Sequence, residues 1–192
     1  MIFETPFWWW DGVLSNDLCD LIIAEGDKLV SGDGRVGGGD NSAGTVDKKI
    51  RETNISFFDS SHWIEGLCVH YAMLANRNSG WNITIDHPQP VQYARYFPDQ
   101  HYSPHRDDYI KNTQNNMMRK LSVSIQVTDP ENYEGGDFII EAGHNNEFDK
   151  LVQFRKRGSV IVFPSLVKHG VEPVLKGVRH SVVCWIEGPK FR

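Results

Sequence analysis

From Trp81 onward the chain is cut into runs too short for helices: WNITI, VQYARYF, the HRD stretch, LSVSIQV, DFIIE, SVIVF and RHSVVCWI. Most are rich in β-branched and aromatic residues, and turn-forming residues separate them. Strands at such spacing predict an all-β sandwich or jelly roll. Residues 121–128 sharpen the pattern, because Leu121, Val123, Ile125 and Val127 alternate with Ser122, Ser124, Gln126 and Thr128. Side chains alternate across a strand, so this run has one apolar and one polar face. The polar face either meets water or lines a wet lumen.

Before Trp81 the periodicity changes. Ser15-Asn16-Asp17 is an N-cap cluster, and Leu14, Leu18, Leu21, Ile22 and Leu29 fall near helical spacing, which predicts a helix over about 16–30. Ser60 and Ser61 are placed to cap a second helix over about 62–77, with Trp63, Leu67, Tyr71 and Leu74 as its stripe and Asn78-Ser79-Gly80 as its stop. Between them RETNISFF (51–58) reads as a strand. Trp8, Trp9 and Trp10 form either an apolar cap on the core or a stacking patch. Residues 31–45 hold six glycines and read as a flexible loop. Their GxGxxG spelling lacks the preceding strand and following helix that dinucleotide binding requires. The expected architecture is mainly β with flanking helices, an α+β chain. It comprises one domain of 1–192, with N-terminal helical support over about 1–80 and a β core over about 81–188.

A net charge of −5 offers no global attraction to nucleic acid or to an anionic membrane. Cys19, Cys68 and Cys184 are far apart and in no CxxC pattern, which fits a reduced, cytoplasmic setting. No apolar run approaches the length of a membrane span, and MIFETPFWWWDG has no basic leader region.

The chemistry centres on His105-Arg106-Asp107. On an extended strand, residues i and i+2 share a face, so His105 and Asp107 can grip one ion together. His169, just past the strand that ends at Phe163-Pro164-Ser165, is the candidate third ligand. Two imidazoles and one carboxylate suit non-haem Fe(II), leaving coordination positions open. Acid should weaken such a site as its imidazoles protonate. Arg179 and Ser181 repeat the i, i+2 logic, with Val183 and Trp185 further along the same face. An inward arginine needs either a structural acid or an anionic ligand. His101 and His105 spell HxxxH, but Pro98 and Pro104 argue against the helix a zinc pair would need.

YARYFPDQHYSPHRD (93–107), LSVSIQVTD (121–129), YEGGDFIIE (133–141) and GSVIVFPSLVKHGVEPVLKGVRHSVVCWIEG (158–188) together resemble the Fe(II)- and 2-oxoglutarate-dependent dioxygenases, specifically the prolyl 4-hydroxylase-like group. The resemblance implies a double-stranded β-helix, cupin-like fold. It implies metal ligation by His105, Asp107 and His169, and capture of the distal carboxylate of 2-oxoglutarate by Arg179, with Ser181 as helper. Tyr96 matches a family tyrosine that faces this co-substrate. Gln126 stands near where relatives place a tyrosine, a departure from the pattern. The implied reaction uses O₂ and 2-oxoglutarate to hydroxylate a C–H bond, releasing succinate and CO₂, with ascorbate as a reductant. The implied substrate is a peptidyl proline in a peptide or protein, closed over by loops 31–45 and 108–120. Free amino acids and other side chains are the alternatives.

Two readings from other classes compete. A cupin-like binding module would keep the barrel without turnover. A zinc hydrolase could use the same triad, but it gives Arg179 no task. The chain is expected to act as a monomer or small homo-oligomer.

Overall fold

The computed structural model describes residues 4–37, 44–108, 116–141 and 148–190. In chain order its elements are β1 (Trp8–Trp10), α1 (Asn16–Gly26), β2 (Gly32–Asp33), β3 (Arg51–Glu52), β4 (Asn54–Phe57), α2 (Trp63–Asn78), β5 (Gln92–Tyr96) and β6 (His101–His105). There follow β7 (Met117–Gln126), β8 (Tyr133–Gly135), β9 (Phe138–Glu141), β10 (Phe148–Lys150), β11 (Val160–Pro164), β12 (His169–Val171), β13 (Val174–Gly177) and β14 (Arg179–Pro189).

Two antiparallel sheets face each other. The larger runs β1-β11-β7-β14-β5-β4-β2 and the smaller β10-β9-β12-β6-β3, with β13-β8 as a separate ladder. The molecule is therefore mainly β with flanking helices, arranged as a jelly roll.

The alternation in β7 decides how the layers stack. Leu121, Val123 and Ile125 are fully buried on the back of the large sheet, against Ile64, Cys68 and Ala72 of α2 and Ile22 of α1. Ser122, Ser124, Gln126 and Thr128 are also buried, at 0–5 % exposure, so this polar face looks inward. A second apolar cluster, including Ala94, Tyr96, Phe138, Phe163 and Val171, fills the space between the sheets. Fully burying each large side chain in these clusters contributes about 1.5–3 kcal/mol.

The helices lie near their expected spans, with two differences. The N-cap of α2 is His62, whose Nδ1 accepts from the Ile64 amide at 3.4 Å, rather than Ser60 or Ser61. The buried stripe is Ile64, Cys68, Tyr71, Ala72 and Ala75, while Trp63 is 39 % exposed. Two alanines let the helix lie close to the sheet, and that turns the stripe away from Trp63. In α1, Ser15 is the N-cap and Leu21 is 45 % exposed.

Three β runs also come out differently. WNITI forms no strand: Ile83 is held by the Asn76 side chain, whose amide donates to Ile83 O at 2.8 Å and accepts from Ile83 N at 2.9 Å. Pro88 and Pro90 follow and bring no ladder donors. RETNISFF divides between the sheets, β3 joining the smaller and β4 the larger, with Thr53 at the crossing. Residues 117–120 belong to β7 and are not loop, while 38–43 and 109–115, the middles of the two expected closing loops, lie outside the described residues. The N-terminal segment is not purely helical either, because β1 to β4 add strands to both sheets. Trp8 and Trp10 pair with Val162 and Val160 and pack on the helix-side core.

The fold brings β12 against β6 with little room to spare. His169 stands opposite His105 in their antiparallel pairing. A Cβ added at the next residue, Gly170, would sit 2.8 Å from Tyr102 O and 3.2 Å from Pro104 N. Gly170→Ala is therefore expected to push the strands apart and weaken divalent-metal binding about tenfold or more. Anaerobic Fe(II) titration beside a thermal melt checks this, and unchanged affinity would show that the strand spacing is adjustable.

Candidate metal centre and co-substrate pocket

β6 ends at His105 and β12 begins at His169, so the ladder sets the two imidazoles side by side, with ring centroids 4.3 Å apart. Asp107 lies just beyond the end of β6. Its position comes from the loop: the backbone N–H groups of Asp107 and Asp108 both donate to Ser165 O, at 2.8 and 3.0 Å. Same-strand alternation alone does not place it.

One ligand atom from each of His105, Asp107 and His169 can be chosen so that all three lie within 4.8 Å of one another. His105 Nε2 is 3.5 Å from Asp107 Oδ1, and His169 Nε2 is 3.4 Å from Asp107 Oδ2. Ligands about 2.1 Å from a common ion on adjacent octahedral positions stand roughly 3 Å apart, so small adjustments close the set on a metal.

The protonation states suit that use. His105 Nδ1 lies 2.9 Å from Ser103 O and His169 Nδ1 lies 3.1 Å from Val167 O. A carbonyl can only accept, so each Nδ1 carries the proton and each Nε2 presents a lone pair. Burial pushes His169 down to about 4, which keeps it neutral at physiological pH. Burial opposes charge on Asp107 too, but His169, His105 and Arg119 outweigh it and hold the carboxyl well below the usual carboxylate range. Ser122 Oγ donates to Asp107 Oδ2 at 2.7 Å and meets Ser165 Oγ at 3.0 Å. Tyr102 stacks on His105 with centroids 3.5 Å apart, and Phe138 and Phe163 flank His169. Two imidazole nitrogens and one carboxylate inside an apolar collar form a donor set that fits Fe(II).

The same pocket is lined by Arg179, Ser181 and Tyr96. Arg179 is 2 % exposed and stands opposite Tyr96 in the pairing of β14 with β5. Its guanidinium lies 5.6 Å from the Tyr96 ring centroid, and its Nη1 donates to Ser181 Oγ at 3.3 Å. A side chain at Gly136, where φ is +63°, would press on Arg179 Cδ at 3.1 Å, so the glycine turn leaves the arginine its space. Among the described residues Arg179 has no carboxylate partner, which leaves its charge for a ligand.

Gln126 differs from its expected place. It pairs in register with Ser181 but does not line the pocket, because its amide nitrogen donates to Thr128 O and Tyr133 Oη, each at 3.1 Å. His180 faces away, stacked on Tyr93 at 5.8 Å. His101, on a strand and not a helix, contacts Lys49 O and Asp99 O and lies outside the metal set. Sequence reasoning missed Arg51, Gln92 and Tyr102 as pocket residues. The available signal was an arginine opening a strand that leads directly into the sheets.

The family model described as the 2OG-Fe(II) oxygenase superfamily matches residues 91–187, just over half of the chain. The chain belongs to this superfamily. A PKHD-type hydroxylase of Crocosphaera subtropica is 34 % identical over 100 residues, 52 % of this chain and 43 % of that protein. One from Shewanella baltica is 27 % identical over 158 residues, covering 67 % of this chain and 69 % of the relative. The chain thus spans less than half of the Crocosphaera relative. A Pseudomonas putida prolyl-4-hydroxylase superposes with a TM-score of 0.69 at 17 % identity, covering 98 % of this chain and 95 % of that one. A Trichoplax adhaerens prolyl hydroxylase, solved with a hypoxia inducible factor peptide fragment, gives 0.71 at 16 % identity, covering 95 % and 84 %. At these identities the structural likeness is one of fold.

The Ser122 hydroxyl orients the one carboxylate of the His-Asp-His cluster through its hydrogen bond to Asp107 Oδ2. Ser122→Ala is expected to lower Fe(II) affinity by about 10–100-fold while the protein stays folded. Anaerobic metal titration checks it, and an unchanged affinity would make the hydrogen bond incidental.

Proposed function

We propose that this chain is an Fe(II)- and 2-oxoglutarate-dependent dioxygenase that hydroxylates a C–H bond, a peptidyl proline first among candidates, releasing succinate and CO₂. The observation that carries this reading is a buried, acid-free arginine in the same pocket as a His-Asp-His cluster. Membership of the superfamily supports it, as do relatives named PKHD-type hydroxylases and neighbours named prolyl hydroxylases. The zinc-hydrolase alternative leaves Arg179 idle.

His105 Nε2, Asp107 and His169 Nε2 would hold the iron. Iron so held, with 2-oxoglutarate and O₂, supplies the oxidising chemistry, with ascorbate as the reductant that keeps it in use. Arg179 neutralises and orients the distal carboxylate through its guanidinium, and Ser181 steadies the arginine. Tyr96 walls the co-substrate beside them. Tyr102, Phe138 and Phe163 keep water from the ligands.

We read the 192 residues as one dioxygenase domain acting on a peptide or protein. No helix among the described residues is long and apolar enough to cross a membrane. A reduced, cytoplasmic setting is supported by Cys19, Cys68 and Cys184, all buried and unbridged.

The test is succinate formation from 2-oxoglutarate with Fe(II), ascorbate and a panel of proline-containing peptides, with mass spectrometry to locate the added oxygen. His105→Ala and Asp107→Ala are expected to abolish turnover while circular dichroism stays native, and wild-type rates in either would refute the metal assignment. Arg179→Ala is expected to raise the KM for 2-oxoglutarate about tenfold or more, with little change in metal affinity. An unchanged KM would make the arginine structural.

A further inference from the structure

The pocket wall beside Gln92 and Trp185 carries a cation, Arg51, that the reaction machinery does not use. Arg51 lines the pocket at 6 % exposure. Its Nη2 donates to Gln92 Oε1 at 3.3 Å and its Nη1 to Arg35 O at 3.4 Å, and its guanidinium lies 4.5 Å from the Tyr102 ring centroid. Every one of these partners is neutral. Arg119 sits nearby, with its guanidinium 3.8 Å from the Trp185 ring centroid and its Nε donating to Gln89 Oε1 at 2.9 Å. Among the described residues neither arginine has a carboxylate within 4.0 Å.

Unsatisfied donors accompany this cation, although Arg51 Nε itself lies against Gly34, where a Cβ would sit 2.6 Å from it. Two buried side-chain atoms in the pocket wall lack a hydrogen-bond partner, Arg51 Nε and Trp185 Nε1. Both groups can only donate. They share a wall: Gln92, which holds Arg51, pairs in register with Val183, two residues from Trp185 on the same face of β14. Trp185 in turn pairs with Ser122, the residue bonded to Asp107, so this wall stands at the level of the metal ligands.

Charge bookkeeping for the loaded pocket leaves the wall positive. Iron(II), Asp107 and a dianionic 2-oxoglutarate sum to one negative charge, which Arg179 cancels. Arg119 faces the charges of Asp107 and Glu187, so Arg51 remains uncompensated, and a buried cation is costly without an anionic partner.

We propose that this wall is a carboxylate-recognition subsite, and that Arg51 and the Trp185 N–H bind an acid group on the substrate so that a neighbouring C–H faces the iron. The proposal rests on the oxygenase reading and deepens it, because it makes the substrate anionic. The carboxylate has two sources, an acidic residue beside proline in a peptide or the free carboxyl of an amino acid.

Matched acid and amide probes separate these sources. Acetyl-Asp-Pro-amide against acetyl-Asn-Pro-amide tests the peptide source, and L-proline against L-prolinamide tests the free acid. Succinate formation and oxygen incorporation are read for each with the iron-loaded full chain. In at least one pair the acid member is expected to turn over with a KM about tenfold or more below its amide. Arg51→Gln is expected to erase that preference, Arg51→Lys to keep part of it, and Trp185→Phe to weaken it while preserving the ring. The KM for 2-oxoglutarate, measured in each variant, reports a collapsed pocket separately. Equal KM for acid and amide in both pairs overturns the subsite, as does a preference that survives Arg51→Gln, or a panel in which no member raises succinate above the substrate-free rate. Absence of succinate in every arm, the substrate-free one included, overturns the oxygenase reading itself.

Discussion

The in-register pairing of His169 with His105 is the contact on which the site depends. It turns two residues distant in the chain into neighbours, and it does so with backbone hydrogen bonds before any ion is present. The strand that supplies His169 is three residues long and pinned on both sides, by β6 and by β9. Asp107 then needs only a short anchored loop to complete the set. Side chains are thus aimed by sheet geometry, whose errors are small, and not by long flexible segments.

Much of this was legible in the residues. The period-2 run from Leu121 to Thr128 fixed a two-faced central strand, and the short β runs after Trp81 fixed the class of fold. His105 with Asp107 and Arg179 with Ser181 stood out by their i, i+2 spacing, and His169 by its place just past a strand end, within a stretch that resembles the dioxygenases. What the sequence hid has physical reasons. Whether the polar face of β7 met water or a lumen depended on a second sheet that no local pattern announces. The split of RETNISFF at Thr53 is a tertiary event, because both halves have strand propensity. WNITI has β-type residues, yet the Asn76 side chain satisfies its backbone and the following prolines deny it a ladder. Gln126 was misplaced because register shows which residues lie side by side, while hydrogen bonding decides where an amide points.

The distribution of charge inside the sandwich is as informative as the triad. Buried arginines are rare where no acid accompanies them. Arg179 and Arg51 both meet this description, on different walls of one cavity. The polar face of β7 runs past them, with Ser122 spent on Asp107 and Gln126 spent on Tyr133.

The two imidazole locks have a consequence for how the protein meets its metal. Each Nδ1 is tied to the carbonyl two residues earlier in its own chain segment, Ser103 for His105 and Val167 for His169. Tautomer and ring tilt are thus inherited from local backbone and need no help from across the sheet. The nitrogen donors are therefore oriented by the backbone alone, and a cation entering the cluster meets them already aimed.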